Sequence, residues 1–164
     1  MAISAASALI FLPLVLPICI LAAWSDMARM KIPNAAVIAL VLTFLVLAPL
    51  ALPFAEIPWR LLTLAVVLVI GFALNMIGAI GAGDAKFAAA MAPFIDPGDA
   101  ARFAYLFACV ILVAFATHRA ARRLPPIRRA LPDWESWDRK DFPMGLALGG
   151  GLAIYLVAGA ISGA

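Results

Sequence analysis

The chain has 164 residues, of which 66% are hydrophobic and only 13% charged, with a mean hydropathy of +1.10. Too few polar residues remain to cover a water-soluble domain, so the composition excludes one and points to a chain solvated by lipid. The formal net charge of +3 and the pI near 9.2 then read as loop charge that sets membrane orientation, and no nucleic-acid partner is expected.

A membrane span needs about 20 mostly apolar residues. In chain order such runs fall at 3–24, 35–54, 61–80, 100–117 and 143–162, with a shorter one at 85–95. No stretch between them is long enough for a second core, so residues 1–164 are read as a single all-α, polytopic membrane domain. Residues 1–7 contain no Lys or Arg, so the basic start of a signal peptide is missing and the first run is expected to stay in the mature protein. Pro13 and Pro17 predict a kink in that run, and Pro49 and Pro53 mark the end of the second. Gly149, Gly150 and Gly151 let another backbone pack closely. Cys19 and Cys109 lie inside apolar runs, with no CxxC and no Cys/His cluster. They read as small apolar residues, and neither a metal nor a cofactor is expected.

Charge gives the orientation. Arg119, Arg122, Arg123, Arg128, Arg129, Arg139 and Lys140 place seven of the twelve basic residues in the loop 118–142, which is expected on the cytoplasmic side. Arg29 and Lys31 put the loop 25–34 on the same side. An even number of crossings must then separate the two loops, and the runs at 35–54, 61–80 and 100–117 supply three. The fourth is the run at 85–95, although eleven helical residues reach only about 16 Å against about 30 Å of hydrocarbon. The expectation is therefore about six transmembrane helices with both termini outside, leaving Arg60 and Arg102 as the basic residues on the outer side.

In that arrangement Asp26, after the first span, and Asp84, opening the fourth, sit at one membrane depth. Acids near hydrocarbon are costly and must face a cavity, a partner or the headgroups. Singly, Asp84 reads as a helix cap and Asp26 as a charge balanced by Arg29 or Lys31. Together, with Gly81 and Gly83 removing side chains beside Asp84, they suit a shared-proton pair acting as general base and general acid in peptide-bond hydrolysis. His118 has no evident nucleophile partner, and no serine lies in a GxSxG elbow. Asp96 and Asp99 read as turn formers, and Asp133, Glu135, Asp138 and Asp141 as a solvated surface. A small transporter or channel using the two acids as a cation or proton site, or a non-catalytic scaffold of a secretion system, are the competing readings.

Gly81-Ala82-Gly83-Asp84 followed by Lys86 resembles the GxGD-x-K signature of prepilin peptidases. Asp26 followed by Ile32-Pro33-Asn34 is similar to that family's first aspartate and its trailing IPN. Pro143-Met144-Gly145-Leu146-Ala147-Leu148-Gly149-Gly150 resembles the Pro-x-Gly-x-Ala-x-x-Gly motif that opens the family's last helix. The three matches come in family order. The resemblance implies a GxGD-type aspartic endopeptidase of the bacterial inner membrane that removes the leader from type IV prepilins or pilin-like subunits at the cytoplasmic face. It implies Asp26 and Asp84 as the catalytic pair, and Lys86 as a residue that tunes Asp84 or holds the leader. It also implies contact with the lipid bilayer and with pilus or secretion machinery. The chain begins at its first helix without the CxxC-bearing region of larger members. It thus resembles the short form of Flp (Tad-type) pilus systems, for which cleavage without methyl transfer is expected.

Overall fold

A computed structural model describes residues 1–163, and every regular element in them is helical. Helix α1 spans Ala5–Arg29, α2 Asn34–Ala51, α3 Ile57–Met76, α4 Ala82–Met91, α5 Ala100–Ala121, α6 Pro125–Ala130 and α7 Met144–Ser162. The Ser4 hydroxyl accepts the Ser7 N–H at 3.0 Å and starts α1. The helix runs unbroken through Pro13 and Pro17 and stops where Met30 turns left-handed (φ 52°, ψ 38°), its N–H closing on the Asp26 carbonyl. Pro33 then precedes α2, where a missing N–H and a fixed φ are no handicap.

Five helices are long and apolar enough to cross a membrane: α1, α2, α3, α5 with its leading turn from Pro97, and α7. The sixth expected one is cut short. Gly81 lies just before α4, and after ten residues the helix tightens into a 3-10 turn, Ala92–Phe94, that contains Pro93. Ten residues rise only about 15 Å.

Short as it is, α4 connects opposite ends of the bundle. Its start faces the same cavity as 25–34 and 139–144. The residues after its 3-10 turn meet the N-terminus: Asp99 accepts the N–H groups of Ala2 (2.7 Å) and Ile3 (3.0 Å). Helix α5 runs back, so that Arg119 and Arg122 donate to the Lys140 and Arg139 carbonyls beside the cavity. The loops 25–34 and 118–142 therefore share one end of the molecule, as the charge pattern requires.

The core is built between α1, α2, α4 and α7. Phe11, Phe44 and the Phe94 ring of the 3-10 turn meet at centroid distances of 5.0 to 6.0 Å, with Phe87, Leu152 and Tyr155 buried around them. Helices α1 and α7 make the closest approach. A Cβ at Gly149 would lie 2.6 Å from the Cys19 carbonyl oxygen, so only glycine fits there. The adjoining Gly151 receives the Phe107 ring from α5. Large side chains such as Leu50, Val69, Phe72, Leu112 and Ile161 point outward, which suits a lipid-facing surface. Cys19 is buried, whereas Cys109 lies on that outer face.

The end away from the cavity is closed by ion pairs and hydrogen bonds. Asp99, fully buried, also accepts the Tyr155 hydroxyl (3.1 Å) and pairs with Arg102. Asp96 accepts the Gly98 N–H and pairs with Arg60. Both acids form turns, as expected. They also account for the two arginines stranded on this side by the charge pattern. Asp99→Ala would leave two backbone N–H groups and a tyrosine hydroxyl without their acceptor. It is expected to destabilise the protein on the order of 3 kcal/mol, read as a lower midpoint in detergent thermal unfolding. A midpoint within a degree of wild type would refute this.

Candidate active site

Three connections wall a cavity of about 920 Å³: 25–34 between α1 and α2, 78–84 between α3 and α4, and 139–144 before α7. Each is held for a local reason. The Ser25 hydroxyl donates to the Lys31 carbonyl (2.9 Å), and the buried Ile32 packs against Gly83, so the first connection is clamped to the start of α4. Gly78 takes φ +72°, and the Asn75 amide donates to the Ile80 carbonyl (2.8 Å), which folds the second connection back on α3. The third hangs on aromatic contacts. Trp134 packs edge-on against Trp24 of α1 (5.0 Å), Trp137 stacks on His118 of α5 (5.4 Å), and the Trp137 indole donates to the Leu131 carbonyl.

Asp26 lies in the last turn of α1, is only 5% exposed and lines the cavity. Its Oδ2 accepts the Gly145 N–H at 2.7 Å, in the first turn of α7. That N–H is one of the donors a helix start cannot satisfy internally, and the N-terminal end of a helix favours a carboxylate. Asp84 lines the same cavity from the first turn of α4. It is not the cap residue. Gly81 holds that position, and the Asp84 carboxylate, three residues on, folds back over it. A Cβ at Gly81 would stand 2.7 Å from Asp84 Oδ2, so a side chain there would displace the carboxylate from this orientation. Gly83 differs: a Cβ there would make ordinary contact with Ile32 at 3.6 Å. Lys86 lines the cavity, but no ion pair among the described residues includes it, so direct pairing with Asp84 is not part of this arrangement.

Asp26 and Asp84 thus line one cavity, at the end of α1 and the glycine-rich start of α4. A model of the type IV leader peptidase family matches residues 13–117. The chain belongs to that family. The matched region contains Asp26 and Asp84 and ends before the α7 motif. No curated protein and no solved structure matches the chain. Family membership accords with aspartic-type peptidase activity, and no group of three or more His, Cys, Asp or Glu side chains able to hold a metal occurs among the described residues.

The remaining polar candidates fall outside the pair. His118 is buried in the aromatic contacts of the 131–142 segment. Glu135 and Asp138 pair with Arg139 and Arg128 at the surface, and Asp141 alone of the loop acids reaches the cavity wall. Pattern reading did not assign a role to Gly145. Its signal was there, as the third residue of the Pro143 motif, but nothing in the sequence paired it with Asp26. Single cysteines introduced at Lys31, Ala79 and Asp141, in a variant lacking Cys19 and Cys109, are expected to react with a membrane-impermeant maleimide from one side of the membrane. Labelling from opposite sides would break up the shared cavity.

Proposed function

We propose that this protein is a membrane aspartic endopeptidase that removes leader peptides from type IV prepilins or pilin-like subunits, with Asp26 and Asp84 as its catalytic pair. The observation that carries the reading is that both carboxylates line one cavity, in a chain of the type IV leader peptidase family. Two carboxylates close enough to repel tend to share one proton. The ionised one takes a proton from a water as that water attacks the scissile carbonyl, and the protonated one donates to the carbonyl oxygen. When the tetrahedral adduct collapses, the departing amine takes up a proton and the pair returns to its starting state. Neither a metal nor a covalent intermediate is needed.

The bilayer reading has six crossings, α4 and its 3-10 turn forming the fourth. Arg29, Lys31 and the arginines of 118–142 share the cavity end, which by the distribution of basic residues is the cytoplasmic side of the inner membrane. A ten-residue crossing fits where a watery cavity shortens the hydrocarbon path, since backbone at membrane depth is tolerated along such a cavity. The substrate's apolar helix stays in the bilayer while its leader reaches the pair. Lys86, on the same wall as Asp84, has its ammonium free for backbone carbonyls of the leader.

The test is co-expression with type IV prepilins, Flp-type subunits first, with the leader followed by mass spectrometry. Wild type is expected to cleave with a bell-shaped pH profile. Asp26→Asn and Asp84→Asn are each expected to lose cleavage by at least about 100-fold while remaining folded in the membrane. Cleavage that survives either change removes that residue from the mechanism. Lys86→Gln is expected to raise KM by up to about tenfold with little change in kcat; a fall in kcat alone would move its role from holding the leader to the chemistry.

A further inference from the structure

A carboxylate at a cavity wall has a broad, two-fold torsional preference at its last bond, so something must select the orientation it presents. For Asp26 the structure contains one such group, the Gly145 N–H, at the short distance of a bond to a charged acceptor. The donor is available because of how α7 begins. Pro143 occupies the cap position and has no N–H, and the Leu146 N–H turns back to the Pro143 carbonyl at 3.2 Å. The Gly145 N–H is left pointing at α1.

The missing side chain matters as much as the donor. A Cβ at position 145 would lie 2.7 Å from Asp26 Cβ, 3.1 Å from Asp26 Oδ2 and 3.1 Å from the Ala22 carbonyl oxygen. Helix α1 has no room to yield, because four residues further along α7, at Gly149, the two helices are pressed together again at Cys19. A methyl group would therefore have to push the start of α7, and its N–H, away from the carboxylate. We propose that Gly145 is the positioning residue of the catalytic pair: its N–H holds Oδ2 of Asp26, and its lack of a side chain leaves the carboxylate its place on the wall shared with Asp84. This rests on the assignment of Asp26 as catalytic. The competing account is packing alone, since Gly145 and Gly149 form a glycine pair four residues apart of the kind that brings membrane helices together.

Gly149 supplies the matched control, as it serves the same helix contact without touching Asp26. Gly145→Ala is expected to lower kcat for prepilin cleavage about 100-fold, the scale of an ångström-sized misplacement. Its KM should stay within about threefold and its pH profile should shift. Gly149→Ala is expected to lower thermal stability by a similar amount while keeping kcat within about threefold and the wild-type pH profile. Equal losses of kcat in both variants, or a wild-type kcat in Gly145→Ala, would overturn the inference. Because Gly145→Ala can fail to fold, the amide is also read directly in wild type labelled with 15N-glycine in micelles. The Gly145 amide proton is expected to shift as pH is varied through the titration of the pair, and to lose that shift in Asp26→Asn. An amide that ignores both pH and Asp26→Asn would overturn the inference with no variant at position 145 needed. If Asp26→Asn itself still cleaves, the catalytic assignment falls; if Asp26→Asn is inactive and Gly145→Ala is fully active, only the positioning role falls.

Discussion

The Asp26 carboxylate accepts a backbone N–H from the first turn of α7, and the arrangement around the cavity depends on that contact. It joins the end of the first membrane helix to the start of the last, across 119 residues of sequence. It satisfies a helix-start donor, and it gives a buried acid a partner that brings no cation into the cavity. The glycines of α7 follow from it. The two backbones come this close where positions 145 and 149 carry no side chain, and of the two it is Gly145 that lies against Asp26 at the cavity.

Helix α4 is the second constraint. It must carry Asp84 at the cavity and still deliver the chain to the opposite end, where Asp99 gathers the N–H groups of Ala2 and Ile3. It does so with ten residues and a 3-10 turn, packed between α2, α3 and α7 and away from the outer surface. The approach of Gly71 to Ala85, at 3.0 Å for an added Cβ, shows how closely α3 lies along it. A helix so enclosed has no need of the length or hydropathy of a lipid-exposed span, because neighbouring helices shield its backbone. The same enclosure explains why a run that is short on paper connects the two ends.

Polar groups divide between the two ends according to what each end does. At the far end every acid has a structural partner: Asp96 with Arg60, Asp99 with Arg102, Tyr155 and two backbone amides. At the cavity end Asp26 accepts one backbone N–H, and among the described residues neither it nor Asp84 belongs to an ion pair.

Much of this was legible in the chain order of residues. Apolar runs of about 20 residues required helices in lipid, since a span of that length satisfies its own backbone hydrogen bonds as a helix. The clustered basic residues called for 25–34 and 118–142 at one end, and in the structure α4 with its 3-10 turn leads from that end to the other. Asp26 and Asp84 stood out because an acid beside hydrocarbon needs a reason. What only the tertiary structure decided was how these pieces touch. Gly81 and Gly83 look equivalent in the motif, yet only Gly81 lies against a carboxylate. Asp96 and Asp99 look like a turn, yet Asp99 anchors the N-terminus. Gly145 and Asp26 are far apart in sequence and bonded in space. Local pattern reports the period and polarity of a segment, but the partner of a backbone N–H or a buried carboxylate is set by which helix ends arrive together, and that is known only once the bundle is packed.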